Sequence, residues 1–199
     1  MSPLIHCITN YVTAGDTANM LLAAGASPIM ADDPAESAEI TAIAQGLTLN
    51  LGTPSASRVE AMLRSGEKAA ERGIPVIFDP VGVACSEFRR NSAAEIISRV
   101  KLTAVRGNLS ELSYLAGFSG KERGVDSSDT GISPETAAKA AAERLGCVCA
   151  VTGAYDVISD GMRNAIIRNG TPLLKKITGA GCLTSALCAA FCSVSDGFT

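Results

Sequence analysis

The stretch LTLNLGTPSASRVEAMLRSGEKAAERGIPVIFDPVG, running from Leu47 to Gly82, decides the fold. Residues 47–51 form a short apolar run that ends in Gly52-Thr53-Pro54, the pattern of a strand entering a turn. Residues 56–72 carry apolar side chains at helical spacing and are closed by Gly73. Residues 74–78 are a second apolar run, which ends in the polar turn Asp79-Pro80-Val81-Gly82. Strand, helix and strand in succession are the unit of a parallel sheet covered by helices.

The alternation continues in both directions. Upstream it predicts strands over 4–8 and 27–30 and helices over 16–24 and 35–44. Downstream it predicts helices over 92–100, 110–116 and 134–145, and strands over 102–105 and 147–151. The strands are short and apolar on both sides, as a sheet covered on both faces needs. Beyond Thr152, residues 155–159, 165–168 and 173–177 read as strands separated by Asp160-Gly161 and Asn169-Gly170, which are hairpin signals. The expected fold is therefore α/β: one mostly parallel central sheet, helices on both faces, and antiparallel strands near the C-terminus. Residues 117–133 are polar and rich in Gly and Ser, the one segment expected to be mobile.

Composition narrows the function. The chain has 199 residues, enough for one domain with a full core; 47% are hydrophobic and 19% charged. Its 17 basic and 20 acidic residues give a net charge of −3 without any like-charge run, so there is no footprint for nucleic acid or membrane. No apolar stretch is long enough to span a bilayer and no signal peptide precedes Ile5, so the expected location is cytoplasmic. Seven cysteines with a single histidine and no C-x-x-C argue against structural zinc. Cys147, Cys149, Cys188 and Cys192 read as small core residues, and reduced thiols fit the same compartment.

The chemistry starts at Lys176-Ile177-Thr178-Gly179-Ala180-Gly181-Cys182-Leu183-Thr184. A glycine turn opening the Ala-rich helical run 183–194 leaves backbone N–H groups aimed at one spot, where the helix dipole favours negative charge. Cys182 at the helix start is expected to ionise more readily than a free thiol. The plain alternative is a glycine turn with a buried cysteine.

In such sheets ligands bind at the carboxyl ends of the strands. Polar residues collect there: Asn10, then Met30 and Asp32, Asn50 and Thr53, Asp79, Arg106 and Asn108 with Glu111, and Thr152 with Gly153. Each has a structural alternative. Asn10 can cap a helix, Met30 can be core, Asp79-Pro80 a turn, Glu111 a solvated first-turn residue and Arg106 a surface ion pair. Together they point to one extended site for phosphoryl transfer. Asp79 and Glu111 offer hard oxygens for Mg2+, directly or through water. Arg106 can neutralise phosphate charge, Thr152 can donate a hydroxyl, and the turn at Gly179–Cys182 can stabilise the transferring group. Cys182 can take the proton of an attacking alcohol. No Walker A sequence is present, which excludes a P-loop kinase.

These segments match a known pattern. His6-Cys7-Ile8-Thr9-Asn10, Gly25-Ala26-Ser27-Pro28-Ile29-Met30-Ala31, Leu49-Asn50-Leu51-Gly52-Thr53, Asp79-Pro80-Val81-Gly82, Arg106-Gly107-Asn108-Leu109-Ser110-Glu111, Val151-Thr152-Gly153 and Thr178-Gly179-Ala180-Gly181-Cys182 occur in order over nearly the whole chain. The chain thereby resembles the hydroxyethylthiazole kinase family of the ribokinase-like superfamily, whose other members generally carry Asp where Cys182 stands. The resemblance implies ATP-dependent phosphorylation of 4-methyl-5-(2-hydroxyethyl)thiazole in thiamine salvage. It implies that Met30 and Gly179 touch the thiazole with Asn10 near it, and that Arg106, Thr152 and Gly181 contact ATP. It also implies that Asp79 and Glu111 lie near Mg2+, that Cys182 is the catalytic base, and that the protein is a homotrimer with sites at subunit interfaces. Family members carry further helices beyond the point matching Thr199 and a short leading helix, so the resemblance implies a single domain truncated at the C-terminus and slightly at the N-terminus. Three other readings remain at this level: a ribokinase-like kinase of a pyrimidine or sugar alcohol, an ATP-dependent hydrate dehydratase, and an inactive truncated thiazole-binding homologue.

Overall fold

The computed structural model describes residues 2–118, 131–168 and 170–198. Most of the loop 117–133, and Asn169 of the second hairpin signal, lie outside the described residues. The chain alternates as the sequence predicts: β1 (Leu4–Ile8), α1 (Ala14–Ala23), β2 (Ser27–Ile29), α2 (Ser37–Ile43), β3 (Gly46–Asn50), α3 (Ala56–Arg72) and β4 (Val76–Asp79). There follow α4 (Glu87–Arg99), β5 (Ala104–Asn108), α5 (Leu109–Leu115), α6 (Pro134–Leu145), β6 (Val148–Thr152), β7 (Asp156–Ser159) and β8 (Asn164–Ile167). A 3-10 turn (Pro172–Lys176) then leads to α7 (Ala180–Cys192).

Among the described residues the eight strands form one sheet, in the order β2-β1-β3-β4-β5-β6-β7-β8. Pairing is parallel from β2 to β6 and antiparallel from β6 to β8. The β7–β8 connection is made by Asp160, whose carboxylate accepts from the Met162 and Arg163 amides at 3.0 and 2.6 Å, an Asx-type turn. Two apolar layers sandwich the sheet. Side chains of α3, α4, α5 and α6 join Ile8, Leu49, Phe78 and Val105 on one face. Leu21 of α1 and Ala186, Ala189 and Ala190 of α7 join Ile5, Cys7 and Ile77 on the other. Among the described residues no helix is long and apolar enough to cross a membrane.

Two elements differ from the sequence reading. Residues 173–177 are not a strand. Thr171 accepts from the Leu173 amide through its hydroxyl at 3.4 Å, and Pro172 fixes the first residue of the turn, which together wind the segment into the 3-10 turn. Leu173 and Leu174 consequently stand exposed. Helix α4 starts five residues earlier than 92, because the Ser86 hydroxyl caps it by accepting from the Arg89 amide at 3.2 Å.

What the fold does for function lies at β1. It pairs with β2 on one side and β3 on the other, so the chain order reverses there. A crevice at the carboxyl ends on either side of such a reversal is where α/β sheets take ligands. The register lines up the strand-end residues: Asn50 of β3 faces Asp79 of β4, and Asn108 of β5 faces Thr152 of β6.

Candidate active site

Asp79 closes β4 with only 1% of its surface exposed, and the site is organised around its carboxylate. Its Oδ2 accepts from Ser185 Oγ at 2.7 Å and from Asn50 Nδ2 at 3.1 Å, and lies 3.8 Å from Arg106 Nη1. Burial pushes the Asp79 carboxyl up to about 6; Arg106 opposes this, nearby Glu111 adds to it, and the Ser185 and Asn50 donors oppose it. The carboxylate is thus ionised at neutral pH but short of positive charge.

A directional chain of hydrogen bonds runs from Asp79 back to β1. Asn50 Oδ1 accepts from Asn10 Nδ2 at 3.0 Å and from the Gly52 amide at 2.8 Å. Asn10 Oδ1 in turn accepts from the Thr13 amide and hydroxyl, both at 3.1 Å. Backbone N–H groups only donate, so they fix both side-chain amides, and each turns its NH2 toward the next acceptor.

Helix α7 closes the site from above. Gly179 sits in the left-handed region at φ 74° as its N-cap. The Leu183 amide bonds back to the Gly179 carbonyl at 3.0 Å, while the Gly181 and Cys182 amides find no acceptor among the described residues. This is the anion cradle expected of a glycine turn at a helix start. Arg106 lies beside it: a Cβ on Gly181 would collide with the guanidinium, so only glycine admits that approach. Arg106 Nη2 also bonds the Thr152 hydroxyl, which donates to the Gly107 carbonyl at 3.3 Å. Arg106 Nε is buried without a hydrogen-bond partner, leaving an unused donor in the cradle.

Cys182 is half-buried within this group. The expectation of an unusually acidic thiol is corrected: burial and the Asp79 charge push it up, and donors from Asn50 and Asn10 and the Arg106 charge offset this only in part. The helix start is outweighed by desolvation and a neighbouring carboxylate.

Glu111 holds the rim rather than the centre. Its Oε2 accepts from the Asn108 amide and its Oε1 from the Gly82 amide, both at 2.8 Å, while Asn108 Oδ1 accepts from the Glu111 amide at 2.9 Å. This capping box ties the β4 and β5 turns together. Of the sequence-predicted residues, the structure brings together Asn10, Asp79, Arg106, Glu111, Thr152, Gly179, Gly181 and Cys182. It does not bring in Met30, which stands 38% exposed after β2 with no bond to the cluster. Sequence reasoning missed Ser185, one turn beyond Cys182 on α7. It also missed Arg89, whose guanidinium bonds the Leu51, Val81 and Gly52 carbonyls and so fixes the turns after β3 and β4. A hydroxyl in an alanine-rich helix and an arginine two residues into the first turn of α4 were the available signals. A separate cavity of about 530 Å³ opens between α4, α5 and α6, but none of the strand-end residues lines it.

Comparisons with known proteins identify the family. The model of the Hydroxyethylthiazole kinase family matches residues 1–199. The chain is 52% identical over 200 residues to the hydroxyethylthiazole kinase of Ruminiclostridium cellulolyticum, covering 98% of this chain and 73% of that one. The solved structure of the hydroxyethylthiazole kinase protein of Pyrococcus horikoshii superposes with a TM-score of 0.88 at 38% identity, over 98% of this chain and 73% of that one. An ADP complex of Bacillus subtilis pyridoxal kinase superposes with a TM-score of 0.66 at 18% identity, over 97% and 84%, which shows the shared fold.

Proposed function

The chain belongs to the hydroxyethylthiazole kinase family, and from that premise we propose how its strand-end site works. The protein is a phosphotransferase that phosphorylates a thiazole alcohol in thiamine salvage. The hydrate-dehydratase and sugar- or pyrimidine-kinase readings have no support from the relatives. The observation that carries the reading of the site is one buried carboxylate, Asp79, meeting Ser185, Asn50 and Arg106 at the start of the helix that bears Cys182.

In this reading ATP directs its phosphates at the Gly179–Cys182 amides, with Arg106 and Thr152 on their oxygens; the unpartnered Arg106 Nε supports that direction. The donor set also fits Mg2+: a buried carboxylate short of positive charge is the hard oxygen such an ion takes. Asp79 would hold it, and Glu111, whose oxygens already accept backbone amides, would act through water. When bound it supplies charge neutralisation between phosphates. The thiazole hydroxyl lies at Cys182, whose Sγ, as thiolate, accepts the alcohol proton late in transfer. Asn10 and Gly179 border the ring. Positioning and charge stabilisation carry most of the barrier reduction in such reactions.

The homotrimer with sites at subunit interfaces, and Met30 as a thiazole contact, belong to the same reading. Leu22 on α1, which packs against β2, and Met30 directly after β2 leave large apolar surface exposed at the β2 edge of the sheet, with Tyr11 and Val12 exposed in the turn after the neighbouring β1. A neighbouring copy covering that edge would place Met30 in an enclosed site. Seven free cysteines suit a cytoplasmic setting. Phosphorus NMR of the protein with the thiazole, ATP and Mg2+ tests the chemistry. A thiazole phosphate signal rising with ADP is the expected result, and ADP release without it would refute the transfer.

A further inference from the structure

His6, the only histidine of the chain, lies in β1 with no exposed surface. Its Nε2 is 2.7 Å from the Ala31 carbonyl oxygen and its Nδ1 is 2.8 Å from Thr41 Oγ1 on α2. A carbonyl only accepts, so Nε2 carries the hydrogen, while the single hydrogen of the Thr41 hydroxyl is shared between Nδ1 and the Ser37 carbonyl 2.9 Å away. Burial holds the ring below its ordinary pKa, although the Ala31 bond and the Asp32 charge oppose this, so it is neutral at pH 7. An apolar side chain would fill the same space without the cost of burying two ring nitrogens. What the imidazole adds is a bond to one backbone carbonyl in the segment that follows β2.

That segment is held from its other side too. Asp32 pairs with Arg58 at 2.5 Å, and Arg58 Nη1 donates to the Thr53 carbonyl at 2.5 Å and to Thr53 Oγ1 at 2.9 Å. Thr53 Oγ1 also accepts from the Tyr11 amide at 3.4 Å. Residues 30–32 are therefore tied inward to β1 through His6 and outward to the turns after β1 and β3 through Arg58. Those are the turns that follow Asn10 and Asn50.

We propose that His6 is a positioning residue for the alcohol substrate: its Nε2–H fixes the Ala31 carbonyl and with it the backbone that presents Met30. This rests on the reading of Met30 as part of the thiazole site. His6→Gln and His6→Asn both bury an amide, but only Gln reaches as far as Nε2 does. The expected result is a thiazole KM roughly 10-fold higher for His6→Asn and near the original for His6→Gln, with kcat and the ATP KM changed less than about 2-fold. Equal thiazole KM values for the two variants, or an equal shift in the ATP KM, would overturn the proposal. The unaltered protein supplies an independent readout, because a lone histidine gives a single set of imidazole nitrogen resonances. The Nε2–H tautomer is expected, with a resonance that moves on saturation with thiazole and stays in place with ATP alone. A resonance unmoved by bound thiazole would also overturn it. Failure of the functional reading shows separately, as absence of thiazole phosphate from the unaltered protein.

Discussion

Ser185 Oγ donates to Asp79 Oδ2 at 2.7 Å, joining α7 to the end of β4 across 106 residues of sequence. Cys182 sits three residues earlier on the same helix, so the bond sets the register between the thiol and the buried carboxylate. Ser185→Ala removes that register without removing either functional group. The expected outcome is a fall in kcat of roughly 10-fold with both KM values near the original, since a lost bond to a charged acceptor is of that size. Steady-state kinetics decide it: unchanged kcat would make Ser185 a packing residue.

Asp79 works against the stability of the fold. Its folded pKa of about 6 stands above the ordinary carboxyl value of 3.8, so the folded state binds the proton more tightly than the unfolded chain does. A raised pKa contributes stability that is complete below the unfolded value and is lost as pH rises through about 6. Asp79→Asn should therefore be more stable than the original at pH 7 in metal-free buffer, by on the order of 1–3 kcal/mol, and inactive. The gain should vanish near pH 4. Urea titrations at the two pH values test this, and equal stability at pH 7 would show that the Arg106 pairing already offsets burial.

Gly179 combines a left-handed backbone with contact, because a Cβ there would run into Thr13 Cγ2. Thr13 orients Asn10, so Gly179→Val should raise the thiazole KM by at least about 10-fold, besides costing about 1–2 kcal/mol of backbone strain. Gly15 of α1 is the control, since nothing lies within 4 Å of its Cβ position. Gly15→Ala should leave kinetics unchanged and add about 0.5–1 kcal/mol of stability. Equal thiazole KM values for the two variants would contradict a close approach at Gly179.

The parts of this fold that sequence reveals are those decided locally. Helix α3 is legible because Ser55 caps its start and Gly73 its end, with an apolar stripe between. The polar strand ends are legible because each follows an apolar run. Residues 173–177 are misread because Leu-Leu-Lys-Lys-Ile has strand character, while Thr171 and Pro172 wind the segment into a 3-10 turn instead of adding it to the edge of the sheet at β8. The same limit applies at Cys182. A helix start favours the thiolate, but burial in the folded chain outweighs it, together with the charge of Asp79 on a strand over a hundred residues away. Ser185, Arg58 and Arg89 escape notice for that reason too: their partners are backbone carbonyls and carboxylates that only the folded chain brings near.

The environment of Cys182 fixes the form of its pH dependence. Burial and Asp79 raise its pKa, so the thiolate is the minor form at neutral pH. A group that must be deprotonated to act makes kcat rise with pH until its own pKa is passed. The kcat of the original protein should therefore still be climbing above pH 8. Cys182→Ala removes the acceptor and should lower kcat by about 10²–10⁴-fold, the usual range for a general base, with the KM values for thiazole and ATP little changed. Cys182→Asp places a carboxylate in the same position. It should retain activity at pH 7 and lose the alkaline rise, because that group is already ionised. kcat–pH profiles of the three proteins separate the roles: wild-type turnover in Cys182→Ala, or an alkaline rise that survives in Cys182→Asp, would remove Cys182 from the proton transfer.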